Sequence, residues 1–292
     1  LSRWFNDKNR GTFYGFWSAS HNIGEAFTFI FIAFVVSMTG WQFGFLSAGM
    51  LGIIGAVLIF IFLKPFPHDA IDGDVFVNRK EIGKKQLSVL KSGTIWLLAL
   101  SSAFMYISRY AVNSWGVYYF EVEKHYSIVE ASGLISISSI CGIIGTVFSG
   151  LLSDKLFRGK RYIPACLASF MNLIALYLFL YIPDGGKLMD IVAMVLFGIS
   201  IGILICYLGG LMAIDLAPKE ATGAAVGVIG IASYMAAGIQ DILSGFFIES
   251  KKQIIGGVEI IDFSFIRMFW ILSAMVSLLL LICIYYKHHR RV

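Results

Sequence analysis

Eight runs of mainly apolar residues succeed one another along this chain, near 11–38, 43–63, 94–120, 129–152, 162–182, 188–214, 221–248 and 265–286. A run of about 20 such residues is long enough to cross the hydrocarbon core of a bilayer as a helix. Within lipid the backbone has no water to bond to, so only helices and closed barrels can span it. The expected fold is therefore an all-α membrane protein with about eight transmembrane helices. Composition agrees: of 292 residues, 58% are hydrophobic and 14% charged, with a mean hydropathy of +0.80, outside the usual make-up of a soluble domain.

The net charge of +5 does not point to nucleic acid, because the basic residues are dealt out between spans instead of gathering on one face. Counted by alternate loops, one side holds Arg3, Lys8, Arg10, the basic stretch from Lys64 to Lys91, "SDKLFRGKR", Lys219 and "KHHRR". The other side holds Lys124, Lys187, Lys251 and Lys252. Basic loops stay in the cytoplasm, which predicts that the 65–93 segment and the 287–292 tail are cytoplasmic. Arg267, at the start of the last span, is expected to snorkel to the interface.

Connections such as "MTGWQ" and "IPDGGK" are short, whereas "KPFPHDAIDGDVFVNRKEIGKKQLSVLKSG" is long and polar and reads as a linker between two bundles. The opening "LSRWFNDKNRG" has neither an initiating Met nor a signal-peptide pattern, and the chain reads as a fragment lacking its N-terminal part. The expected organisation is residues 1–64 as the end of an N-terminal helical bundle, 65–93 as linker, 94–286 as a complete six-helix bundle, and 287–292 as tail. Glycines at three- and four-residue spacing, in "GIIGTVFSG" and "GAAVGVIG", predict close helix packing. "KKQIIGGVEIID" predicts a small hairpin about Gly256 and Gly257.

Ionisable groups inside a span cost about 2.5–3.5 kcal/mol each on the insertion scale, so their positions carry the most information. In the first span Tyr14, Ser18, His21, Glu25 and Thr28 recur at helical steps, with Trp17 one turn before His21, and share a face. In the third, Tyr106, Arg109, Tyr110 and Asn113 do the same, with Arg109 about two-thirds of the way from the linker to the opposite loop. A guanidinium offers a fork of donors that fits carboxylate or phosphate oxygens two at a time. An anionic substrate or an ion pair with Glu25 or Asp241 would both satisfy it. Asp241 lies seven residues after Tyr234, on the same helical face, with Gly238 and Gly245 leaving room beside it. His21, with an ordinary pKa near 6.5, suits a ligand that also changes charge near neutrality, as phosphate esters do at about 6.

Cys141, Cys166, Cys206 and Cys283 stand singly inside apolar runs, without metal or disulfide spacing. The chain shows no nucleophile–base pair, P-loop or zinc spacing, so neither enzyme chemistry nor a cofactor is expected.

The segments "KNRGTFYGFWSASHNIGE", "YISRYAVNSW", "GLLSDKLFRGKR" and "IDLAPKEATGAAVGVIGIASY", in this order, resemble the organophosphate:inorganic phosphate antiporters of the major facilitator superfamily, the glycerol-3-phosphate and hexose-6-phosphate transporters. The first two are the selective ones, since the whole superfamily carries a loop like the third. The resemblance implies a fragment holding helices 5 and 6 and the C-terminal six-helix bundle of that fold. It places the substrate histidine at His21, the tryptophan before it at Trp17, the phosphate-binding arginine of the C-terminal half at Arg109, and pocket tyrosines at Tyr106 and Tyr234. Ser18 stands where the family has Asn, Glu25 where it often has Gly, and Ser139 near an acidic position of some members. Glu25 and Asp241 are then candidate proton or counter-ion groups.

The implied function is exchange of a phosphorylated metabolite for inorganic phosphate by alternating access in a bacterial inner membrane, by a monomer whose partners are its substrates and the lipid bilayer. A proton-coupled transporter of another organic anion and a membrane sensor of sugar phosphates are the alternatives.

Overall fold

A computed structural model describes residues 10–63, 79–157, 160–183, 186–255 and 258–289. The side chains of His21, Asn22, Glu25, Thr28, His288 and His289 lie outside the described set, as do residues 1–9, 64–78 and 290–292. The chain forms α1 (Arg10–Thr39), α2 (Trp41–Phe62), α3 (Arg79–Leu90), α4 (Gly93–Val122), α5 (Ile128–Leu151), α6 (Tyr162–Tyr181), α7 (Lys187–Cys206), α8 (Met212–Leu216), α9 (Thr222–Ser250) and α10 (Ser264–His289). Among the described residues, seven stretches are long and apolar enough to cross a membrane: Trp41–Phe62, Gly93–Val122, Val129–Leu156, Tyr162–Tyr181, Lys187–Leu216, Lys219–Ser250 and Ser264–Lys287. The remaining expected span is α1, 30 residues long. The protein is an integral, multi-pass membrane protein.

Two spans run past their α-helical ends as single π turns, Leu152–Leu156 after α5 and Tyr207–Leu211 between α7 and α8. Such turns add a residue to the helix and rotate the segment beyond them. The hairpin forms as expected, with β1 (Lys252–Ile255) antiparallel to β2 (Val258–Ile261) and Ile255 opposite Val258. A helix closes the second half of the expected linker. α3 sets Val89 into the core, and its Lys85 lies 3.3 Å from Glu220. The 79–90 stretch is thus docked beside α9.

Without a hydrophobic force between helices in lipid, packing rests on close backbone approach and interhelical hydrogen bonds. α5 and α7 use the first: a Cβ on Gly145 would lie 2.3 Å from the Ile199 carbonyl oxygen, and one on Gly202 would lie 2.2 Å from that of Gly142. α4 uses the second. Ser102 Oγ lies 2.8 Å from Ser233 Oγ of α9, and Ser101 donates to the Ser277 carbonyl of α10 at 3.0 Å. The glycine-rich start of α9 departs from expectation, because Cβ atoms on Gly223, Gly227 and Gly230 would meet nothing within 4 Å. These three make no close helix contact among the described residues.

Candidate functional site

Arg109 stands about 24 Å along α4 at 1.5 Å per residue, near the middle of a helix that runs from Gly93 to Val122. It is nearer the middle than the two-thirds position expected from the sequence. Only 3% of Arg109 is exposed. Its guanidinium carbon lies 5.5 Å from the ring centroids of both Tyr106 and Tyr110, one turn before it and one residue after it on the same helix. The attraction of a cation for aromatic faces holds the guanidinium at this level of the helix.

The Tyr106 ring meets Tyr234 of α9 edge to face, centroids 5.4 Å apart, so two distant segments of sequence converge on the arginine. Tyr106 is buried, whereas Tyr234 is 55% exposed. α4 and α9 run parallel, since Ser102, Tyr106 and Trp115 of one meet Ser233, Tyr234 and Gly245 of the other in order.

Asp241 is half-buried. Among the described residues its Oδ1 has no hydrogen-bond partner, and it makes no ion pair. On α1, Ser18 is buried and Trp17 exposed, the latter with its ring 5.4 Å from Tyr14. His21 and Glu25 fall on helix α1, and their side chains lie outside the described residues. At 1.5 Å per residue, Glu25 is about 22 Å along α1, a depth similar to that of Arg109 on α4.

The structure adds a junction that holds the first turns of α1 to the six-helix bundle. Asp154 Oδ2 accepts from the Thr12 backbone N–H at 2.7 Å and from its hydroxyl at 3.0 Å. That N–H belongs to the first turn of α1, where backbone donors lack helical partners and the helix dipole favours an anion. Arg161 sits behind, with Nη2 3.9 Å from Asp154 Oδ1 and Nε paired with Asp215. Two residues on from Thr12, Tyr14 packs so closely on the π turn that a Cβ on Gly210 would lie 1.5 Å from its hydroxyl oxygen. "SDKLFRGKR" signals this junction in the sequence. Its partner Thr12 has no signal of its own.

At the opposite end, Lys124 and Asp190 form an ion pair that is 2% and 0% exposed, with the Tyr126 hydroxyl 2.9 Å from Asp190 Oδ2. Lys124 also lies 5.5 Å and 5.8 Å from the rings of Phe120 and Phe179. Read as a sequence, Lys124 is a loop charge; the fold buries it because α4, α6 and α7 close over it. Arg267, at the start of α10, is anchored at the same end of the bundle. It pairs with Glu123, and its guanidinium carbon lies 5.6 Å from Tyr119 and 6.0 Å from Tyr181.

Residues 1–240 match the Major Facilitator Superfamily. The chain is similar to the glycerol-3-phosphate transporter of Bacillus subtilis, 29% identical over 85% of this chain and 60% of the relative. It is similar also to the membrane sensor protein UhpC of Salmonella typhimurium, 30% identical over 82% of this chain and 57% of that protein. The hexose-6-phosphate:phosphate antiporter of Salmonella typhimurium is 30% identical, over 80% of this chain and 54% of the antiporter. The chain thus spans a little over half the length of the curated relatives it matches. Its helical architecture, its match over residues 1–240 and these relatives agree: the chain belongs to the Major Facilitator Superfamily and, within it, to the organophosphate:inorganic phosphate antiporter family.

Proposed function

We propose that the protein exchanges a phosphorylated metabolite, glycerol 3-phosphate or a sugar phosphate, for inorganic phosphate at a single site midway across the membrane. The observation that carries this reading is the buried Arg109, held between Tyr106 and Tyr110 at the middle of α4 with Tyr234 closing on it from α9. Arg109 supplies charge and a two-pronged donor set for phosphate oxygens. His21 adds a titratable hydrogen bond, and Trp17, Ser18, Tyr106 and Tyr234 border the organic part. Glu25, with Asp241, provides the carboxylates that balance the arginine or carry a proton when no anion is bound. The similarity to a glycerol-3-phosphate transporter and to a hexose-6-phosphate:phosphate antiporter supports the substrate class.

Transport by this route needs no covalent chemistry and no enzyme activity. The bundles of residues 1–64 and 94–286 rock about the site, joined by the 65–93 linker, with linker and 287–292 tail in the cytoplasm of a bacterial inner membrane. The Thr12–Asp154 junction and the seat of Tyr14 on Gly210 close the basic end of α1 against the six-helix bundle. Binding an anion then favours whichever state brings more donors around it, because a ligand shifts an equilibrium only by its differential contacts.

Counterflow of labelled phosphate in proteoliposomes tests the reading. Uptake against unlabelled internal phosphate is expected, inhibited by glycerol 3-phosphate or glucose 6-phosphate and slowed by Glu25→Gln with a changed pH dependence. Binding of these esters without any exchange would favour a sensor, as one of the relatives is.

A further inference from the structure

We infer that Trp115 and Asp241 form a hydroxyl-binding subsite beside the anion site, which selects phosphate esters carrying a polyol chain; this rests on the organophosphate reading above. Trp115 Nε1 and Asp241 Oδ1 are both buried polar atoms without a hydrogen-bond partner among the described residues. Buried polar groups in folded proteins are almost always paired, and one left alone is costly. Two such atoms near each other call for a ligand or a water that serves both.

Helix packing puts the two residues about one helical turn apart along α9: Trp115 packs into the notch at Gly245, where a Cβ would lie 3.4 Å from Cζ2 and Cη2 of the indole. Cζ2 belongs to the indole edge next to Nε1, and Gly245 is one helical turn beyond Asp241 on the same face of α9. Their chemistry is complementary. An indole N–H only donates and an ionised carboxylate only accepts. A hydroxyl group does both at once, receiving from Trp115 and donating to Asp241. A phosphate oxygen fills the place poorly, because the anion's charge is repelled by the carboxylate even where one oxygen keeps its proton.

The placement fits one molecule bridging both sites. Trp115 stands about 9 Å beyond Arg109 along α4, and Asp241 about 10 Å beyond Tyr234 along α9. Because α4 and α9 run parallel, the two displacements point the same way, by a length comparable to a short carbon chain. With its phosphate on Arg109, a polyol ester extends its far hydroxyls towards Trp115 and Asp241. Inorganic phosphate reaches only the first site. The same protein can therefore bind both exchange partners through one arginine while ranking organic esters by their hydroxyls.

The test uses the purified protein with three probes: glycerol 3-phosphate, glucose 6-phosphate and n-propyl phosphate, which has the same charge and no hydroxyl. Two readouts are taken, inhibition of phosphate self-exchange in proteoliposomes and thermal stabilisation of the protein in detergent. The better polyol ester is expected to act at concentrations about tenfold or more below propyl phosphate, as for a hydroxyl bonded to a charged acceptor. Trp115→Phe, which keeps the ring, and Asp241→Asn are each expected to collapse that ratio towards one. The inference is overturned if wild type does not prefer the polyol esters, or if both variants keep the preference, in which case the two atoms share only a water. Hydroxyl-dependent stabilisation without phosphate self-exchange would overturn the exchange reading and leave the subsite standing.

Discussion

Lys124 and Asp190 join the ends of α4 and α7 in a place where water cannot replace either partner. Replacing Lys124 by Met keeps the length of the side chain and removes the charge. Asp190, 0% exposed, then retains only the Tyr126 hydroxyl at 2.9 Å among the contacts that held its carboxylate. Removing one partner of a buried pair costs about 3–5 kcal/mol, since the other charge stays in low dielectric. Removing both is often neutral, because desolvation of the pair offsets most of its attraction. Lys124→Met is therefore expected to destabilise by about 3–5 kcal/mol and the double variant Lys124→Met/Asp190→Leu by less than about half of that. Cys206, fully buried in the core, supplies the assay: its reaction with a thiol dye in detergent reports unfolding. A cost below about 1 kcal/mol for Lys124→Met, the range of an exposed pair, would refute the argument. So would a double variant as unstable as the single.

Three further outcomes are expected at other contacts. Arg109→Lys keeps the charge but loses the planar fork and its fit between Tyr106 and Tyr110; phosphate binding, read by protection from thermal unfolding, should weaken about 10- to 100-fold. Gly210→Ala places a methyl on the Tyr14 hydroxyl and should cost about 1–3 kcal/mol through overpacking, with Tyr14→Ala in the same chain costing less than the sum of the two changes. Asp262 caps α10 by accepting from the Ser264 N–H at 2.9 Å and from its hydroxyl, and these bonds hold its carboxyl below the usual carboxylate range. A depressed folded pKa contributes stability that is present above the unfolded value and fades as pH falls through the folded one. The difference in unfolding temperature between wild type and Asp262→Ala should accordingly be full at neutral pH and shrink on strong acidification.

Part of the candidate arrangement is legible in the letters. Tyr106, Arg109 and Tyr110 share a helical face by spacing alone, and their meeting with Tyr234 fits the pattern of the family they resemble. The same reading has Trp115 only as the last letter of a motif, without a role, and counts Lys124 as a loop charge. A tryptophan in an apolar run looks like core, and a lysine beyond a span looks like a loop charge, until the neighbouring helices are in place.

By itself the sequence determined seven of the eight expected spans and their approximate lengths, the hairpin strands on either side of 256–257, and the ionisable groups that had to be accounted for inside the membrane. These are local quantities: a helix satisfies its own backbone, and twenty apolar residues cross a bilayer whatever stands beside them. The tertiary structure alone decided which glycines are contacts, so that Gly145 and Gly202 are crossing points while Gly223, Gly227 and Gly230 are open among the described residues. It alone decided that Asp154 caps α1, that Lys124 is buried with Asp190, and that Trp115 of α4 packs on Gly245 of α9. Those outcomes depend on where two helices cross, and in lipid, where apolar surface attracts no particular partner, the crossing is set by the shape and hydrogen bonds of both helices together.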